Sequence, residues 1–318
     1  MRKEGTEMAS EKYGLFDNTH FGIIKGIGIF VIVLVHLCNR YLDFPFLSPI
    51  AGAAVSIFLL CSGYGLSESF KKKKLHGYWT NKFVKIWIPS FLSVSLVAIF
   101  NRVGIVVWAT EYPLFLYGWY LEVLFCEYLL FWIIYRYITR KYRVVLFWMV
   151  SIVMFICTAE QIYAEQLFCF PLGLTISEYG VKAKIESISL RKMMMILIML
   201  GIMIIGSYLC RHSFDGYLLF NLVWHVFKTS SAVAVILAVY VIRRVSILTV
   251  FIPLGTISYS LYLLNNHTMS ALKVMEITVG NVFVVLLLTF VIAYLFTLMC
   301  NYIVSMSTKW SMRKGSVV

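Results

Sequence analysis

Charge is scarce in this sequence: 14% of its 318 residues are Asp, Glu, Lys or Arg, against 61% that are hydrophobic. That balance, with a mean hydropathy of +0.84, excludes an ordinary soluble domain and calls for lipid as the solvent. Proline occurs six times and no stretch is rich in Pro, Gly or Ser, which excludes a flexible linker between separate domains. No internal repeat is visible. The seven cysteines form no Cys-x-x-Cys and lie mostly inside apolar runs, away from histidine at ligand spacing. They read as small buried residues, and no metal site is expected. Also missing are Gly-x-Ser-x-Gly, His-Glu-x-x-His, a P-loop and a Gly-x-Gly-x-x-Gly after a strand. Hydrolase triads, metalloproteases and ATPases lose their support with them.

The apolar residues come instead in runs of about 18 to 24, long enough for an α-helix to cross roughly 30 Å of hydrocarbon. Short alternating stretches are absent, so a transmembrane β-barrel is excluded. Runs near residues 22–38, 46–66, 86–108, 114–135, 144–158, 162–180, 193–210, 217–242, 246–265 and 282–304 predict an all-α integral membrane protein of about ten spans. The first run follows a polar stretch, contains Lys25 and His36, and has no small-residue cleavage site after it, so it reads as a retained span. The expected organisation is a cytoplasmic N-terminal segment (1–21), one membrane domain (22–304) and a cytoplasmic tail (305–318).

The formal net charge of +13 does not point to nucleic acid, because the basic residues are scattered between apolar runs and cover no single face. They do fix an orientation. With the N-terminus inside, the cytoplasmic segments hold most of the 28 basic residues, including Lys71 to Lys74, Arg140 to Arg143 and Arg243 with Arg244. The outer loops keep Arg40, Arg211 and Lys273. The positive-inside rule therefore predicts both termini cytoplasmic in a multi-pass protein of a bacterial cytoplasmic membrane.

A charged side chain deep in a span costs about 2.5 to 3.5 kcal/mol on insertion scales, so each one needs a reason. Lys25 and His36 stand eleven residues apart in FGIIKGIGIFVIVLVHLCNR, which is three helical turns plus about 20°. They share a face on which Gly22 also lies, with Gly26 and Gly28 nearby, so that a helix or a ligand can approach closely. One reading has Lys25 reaching to the interface and His36 bonded across a helix contact. The other makes His36 a general base, since imidazole titrates near neutrality.

Three more places carry ionisable groups. Lys82 and Lys85, at i and i+3 before Pro89 and beside Trp79 and Trp87, form one cationic pair on a helix and could bind the phosphates of a cytosolic donor. In YGWYLEVLFCEYLLFW, Trp119 fits an interfacial belt, while Glu122 and Glu127 differ by about 140° around the helix and cannot pair. A single carboxylate orienting a histidine stays open. His225 with Lys228, and His267 after YSLYLLNN, either line an extracytoplasmic cavity or face the headgroups.

These elements together resemble the acyltransferase-3 family of bacterial integral membrane O-acyltransferases, over nearly the whole chain. That family carries a basic residue, ten others and a histidine in its first span, matched by Lys25 and His36 with Lys where Arg is commoner. Its Phe-x-x-x-Ser-Gly-aromatic element is matched by Phe58, Ser62, Gly63 and Tyr64, and its Arg-x-x-Arg before proline by Lys82, Lys85 and Pro89. Lysine keeps the charge there but removes bidentate phosphate geometry. Trp119 in YGWYL, FPLGLTISEY and ISYSLYLL resemble three further family motifs. Relatives often have a histidine directly after the last of these; Asn265 stands there instead, with His267 two residues on, and neither takes a role from the resemblance.

The resemblance implies ten spans and transfer of an acyl group, most often acetyl from cytosolic acetyl-CoA, to a hydroxyl of a sugar or cell-envelope glycan, free or lipid-linked. No cofactor is expected to be bound; acyl-CoA is the donor substrate, and the lipid bilayer and the glycan are the partners. His36 would be general base or would carry the acyl group as a transient acyl-histidine, with Lys25 in support. Lys82 and Lys85 would hold the donor, and Ser62, Gly63, Trp119 and Glu122 would shape the pocket. A transporter or flippase for a lipid-linked glycan is the alternative that buried Lys, His and Glu also suit, though the matching broken helices expected of inverted repeats are not evident.

Overall fold

The computed structural model of the chain describes residues 13–103, 106, 108, 118–158, 160–211, 213, 216–274 and 282–315. Among these there is no strand. Six helices are long and apolar enough to cross a membrane, or seven if a pair bent by 70° near residue 257 counts as one span. Inside hydrocarbon a backbone must satisfy its own polar groups, which is why Ile- and Val-rich sequence takes up helix here despite weak helix propensity.

The chain divides into two units: Met1–Ile32, Phe46–Leu75 and Val123–Thr256 in the first, Val33–Pro45, His76–Glu122 and Ile257–Val318 in the second. Helix α1 (Asn18–Leu37) is unbroken across residue 32, so residues 18–32 of it belong to the first unit and residues 33–37 to the second. Asp17 opens it, its carbonyl accepting from Phe21 N–H at 2.8 Å and its carboxylate from Gly14 N–H at 2.7 Å. A π-helical turn, Cys38–Leu42, closes it, stopped by Asp43 in the left-handed region at φ 54°.

The first unit also holds α2 (Ser48–Lys73), which has Pro49 in its first turn, where its missing N–H costs nothing. In the second unit a short helix, α3 (Tyr78–Lys82), runs through a π-helical segment, Phe83–Trp87, into α4 (Ile88–Phe100). This third apolar stretch therefore begins at Tyr78 and ends at Phe100, earlier at both ends than hydropathy suggests, and it takes Lys82 and Lys85 into its helical length. Helix α5 (Trp119–Tyr137) starts in the second unit and continues in the first.

The first unit continues with α6 (Arg140–Cys157), α7 (Gln161–Ala164), α8 (Cys169–Glu178), α9 (Val181–Glu186), α10 (Leu190–Cys210), α11 (Tyr217–Val241) and α12 (Ile252–Thr256). The fourth, fifth and sixth expected spans are the ones outside the apolar set. Glu122, Glu127 and Arg136 interrupt α5, and Arg140, Lys141 and Arg143 crowd the start of α6. The sixth is divided into α7 and α8 by the turn at 165–168. In the second unit follow α13 (Ser258–Val274) and α14 (Val282–Gly315). Helix α13 runs past the expected end of the ninth span, so Asn265 and His267 lie inside a helix.

Close glycine contacts set the packing of the first unit. A Cβ on Gly63 would come within 2.2 Å of the Phe170 carbonyl oxygen, and one on Gly173 within 2.1 Å of that of Leu60. Helices α2 and α8 therefore meet backbone to backbone, as small residues allow where lipid supplies no hydrophobic drive. Gly26 and Gly255 do the same for α1 against residues 246–256, with 1.9 Å to Phe251 O and 2.1 Å to Gly22 O. Around them sit Ile23, Ile24, Leu60, Cys61, Tyr64 and Ile236, all buried, with Tyr64 stacked on Phe16 at 4.3 Å. Helix α10 turns Ile198, Ile202 and Ile205 outward, the pattern of a helix that faces lipid.

Candidate active site

The second unit brings His36 and Asn265 together. The His36 Nδ1 lies 2.6 Å from Asn265 Oδ1, while Asn265 donates its amide N–H groups to the carbonyls of Leu261 at 2.8 Å and Tyr262 at 2.9 Å. Asn265 is 1% exposed; His36 stays half-buried. One turn beyond His36, Arg40 donates to Ser270 Oγ and to the Asn266 carbonyl, and Tyr41 O–H donates to the Met269 carbonyl at 3.0 Å. The end of α1 is thus tied to α13 along two helical turns. The sequence kept a carboxylate open as the histidine's orienter; the partner is an amide.

Lys82 and Lys85 are also in the second unit, but not as the pair that i, i+3 spacing gives on an α-helix. Lys82 ends α3, half-buried with its ammonium 5.6 Å from the Tyr78 ring. Lys85 lies within the π-helical segment, whose wider turn carries it off the α-helical line, and it is exposed. Beside them Phe83, Trp87 and Phe91 stack in series at 4.8 and 5.6 Å, and Tyr259 O–H donates to the Ile86 carbonyl at 2.9 Å. Trp119 is half-buried at the start of α5, next to Tyr120, whose ring packs at 4.8 Å on Tyr262. Glu122 is exposed one turn later.

Lys25, Ser62 and Gly63 belong to the first unit. The Lys25 ammonium sits 5.3 Å from the Phe21 ring and forms no ion pair among the described residues. On the same helix it is about 16 Å from His36 along the axis by helical rise. Ser62 is hydrogen-bonded to Tyr128, and Gly63 is a backbone packing contact of α2 with α8. Glu127, on the opposite side of α5 from Glu122, is buried at 3% exposure.

His225 and Lys228 neither line an open cavity nor face headgroups. Lys228 pairs with Glu165 Oε2, both under 10% exposed, and Gln161 donates to Glu165 Oε1 at 2.5 Å. The His225 Nδ1 donates to the Glu165 carbonyl at 3.0 Å and its Nε2 meets Thr229 Oγ1 at 3.0 Å. Ser56 O–H donates to Gln166 at 2.8 Å. The turn at 165–168 is thereby fastened to α2 and α11. Among the described residues no three His, Cys, Asp or Glu side chains are placed to hold a metal ion.

The family model for an acyltransferase domain matches residues 19–306. The chain belongs to the acyltransferase-3 family. No curated protein and no solved structure matches it. It is a membrane acyltransferase, and the matched stretch contains all eight residues expected from sequence. What the sequence missed in this acyltransferase is Asn265, visible there as a departure from the family pattern but followed directly by the polar residues Asn266, His267 and Thr268. Nothing local reveals its partner, because His36 lies at the other end of the chain.

Proposed function

We propose that this acyltransferase moves an acetyl group from cytosolic acetyl-CoA to a hydroxyl of a sugar or cell-envelope glycan, from a bacterial cytoplasmic membrane that it crosses ten times with both termini inside. The observation that carries the reading is the His36–Asn265 hydrogen bond in a chain of acyltransferase family. It gives one half-buried imidazole on a membrane helix a fixed ring, as proton transfer requires.

His36 takes the proton of the acceptor hydroxyl, or carries the acyl group itself. Lys82 and Lys85 attract the anionic donor at the cytosolic side as point charges, since lysine gives no bidentate fork. The stacked aromatics Phe83 and Trp87 offer the donor a flat apolar surface. Lys25, which forms no ion pair among the described residues, adds positive charge along the helix that carries His36 and attracts the donor's negative charge. Trp119 and Glu122, in the second unit with His36, complete the pocket.

Membranes containing the wild-type chain or His36→Ala, supplied with labelled acetyl-CoA and a glycan extract, test the assignment. Loss of a general base lowers transfer by about 10²- to 10⁴-fold. Undiminished transfer by His36→Ala at equal expression removes His36 from the chemistry, and mass analysis of the glycans identifies acyl group and acceptor.

A further inference from the structure

We infer that Asn265 is a positioning residue that fixes the tautomer of His36, and that this tautomer commits the enzyme to direct transfer with His36 as base and no acyl-histidine carrier. The inference rests on His36 serving the transfer proposed above.

The orientation of the Asn265 amide is forced. Its nitrogen has two carbonyl acceptors, Leu261 O at 2.8 Å and Tyr262 O at 2.9 Å. Turned over, its oxygen would face both carbonyls and two hydrogen bonds would be lost by a residue that is 1% exposed. The atom facing His36 is therefore an oxygen that only accepts. At 2.6 Å from it, Nδ1 must carry a hydrogen whether the ring is neutral or protonated. The neutral ring keeps its lone pair on Nε2, and the half-buried ring leaves that atom to substrate.

From this tautomer direct transfer balances. The acceptor hydroxyl oxygen attacks the thioester carbonyl while Nε2 takes its proton. A C–O bond forms, the C–S bond breaks, and Nε2 returns the proton to the departing thiolate. Nδ1–H keeps its bond to Asn265 throughout. An acyl-histidine does not balance as well. A neutral N-acylimidazole on Nε2 must lose the Nδ1 proton, yet the amide oxygen beside it takes no proton. Once bare, the Nδ1 lone pair would face that oxygen across 2.6 Å. Retaining the proton leaves a cationic acylimidazolium within the membrane, a charge that is costly there. Arg40, one turn along the chain from His36 and bonded to Ser270 and Asn266, repels such a cation further. Asn265 comes from the packed helix α13 and adds no charge.

The full chain in bilayers, labelled with ¹⁵N-histidine, tests the tautomer independently of turnover. The resonance lost in His36→Ala should show hydrogen on Nδ1; hydrogen on Nε2 in the wild type overturns the inference. With labelled acetyl-CoA, no acceptor and a rapid quench into neutral denaturant, which spares an acylimidazole, no label should stay on the chain. Stoichiometric label that disappears in His36→Ala overturns the direct route. Asn265→Ala should lower kcat roughly 10- to 100-fold at unchanged donor KM, short of the ~10²- to 10⁴-fold expected for loss of the base. Asn265→Asp should retain transfer and move the acid limb of the pH profile to higher pH, since a carboxylate stabilises the imidazolium. An unmoved profile in both variants overturns the positioning role. If Asn265→Ala does not fold, Asn265→Asp and the wild-type spectrum still decide. A wild-type chain that transfers nothing sinks the proposed function, while the spectrum still judges Asn265.

Discussion

Two histidines in the two units make opposite use of the same ring. In the first unit His225 is 5% exposed and spends both nitrogens, on the Glu165 carbonyl and on Thr229. In the second unit His36 is half-buried and has its Nδ1 held by Asn265. His20 in the first unit follows His225: fully buried, it accepts from Phe16 N–H at Nδ1 and donates from Nε2 to the Ile236 carbonyl at 3.1 Å. A histidine within an apolar helix is thus diagnostic only when its hydrogen bonds are counted. A ring with both nitrogens committed fastens helices; a ring fixed at one nitrogen and open at the other can exchange a proton.

Lys228→Met leaves Glu165 buried without its cation and should cost about 3 to 5 kcal/mol, read as a fall in thermal midpoint by fluorescence-detected size exclusion. Adding Glu165→Leu should return much of it; a double variant as unstable as the single would show that the pair is not the cause.

His225→Ala should cost about 1 to 3 kcal/mol by stranding the Glu165 carbonyl in a buried site. Urea-dependent loss of transfer in membranes measures it, and the wild-type rate without denaturant should persist in the folded fraction.

Gly63→Ala should cost about 1 to 3 kcal/mol, because its Cβ would meet the Phe170 carbonyl at 2.2 Å and backbone must move. Gly65→Ala, two residues along the same helix with nothing within 4 Å, should stabilise by up to ~1 kcal/mol. Parallel thermal unfolding of the two decides whether close approach or glycine itself matters at the Ser-Gly element.

The smallest effect is electrostatic. A hydrogen bond from Lys182 at 2.9 Å holds the Asp17 carboxyl below its ordinary range. A lowered folded-state pKa gives stability that is present above the unfolded carboxylate value, about 3.9, and is lost as pH falls through the lower folded value. Lys182→Met should therefore destabilise slightly at neutral pH and flatten the acid limb of midpoint against pH. An unchanged acid limb would show that the pair, half open to water, contributes nothing.

Helical membrane character was legible in run length, because lipid constrains it directly, but three of the ten expected runs carry too much charge or are broken and fall outside the six or seven apolar helices. Lys25 and His36 were legible as one face, since spacing along a single helix is local information. The π-helical segment that separates Lys82 from Lys85 was not, because it depends on how α3 meets α4. Nor was the Gly63–Gly173 contact, where each glycine is explained only by the other helix. Asn265 stood out as a departure from the family pattern, but its meaning lies in which of its atoms faces His36, and that is set by two carbonyls of its own helix.

The most direct measurement sets His36→Ala beside His225→Ala, recording acetyl transfer per folded molecule and thermal midpoint for each. His36→Ala should lose about 10²- to 10⁴-fold in transfer with its midpoint kept, while His225→Ala should lose midpoint and keep transfer. Transfer surviving in His36→Ala, or both quantities falling together in both variants, would contradict the assignment of His36.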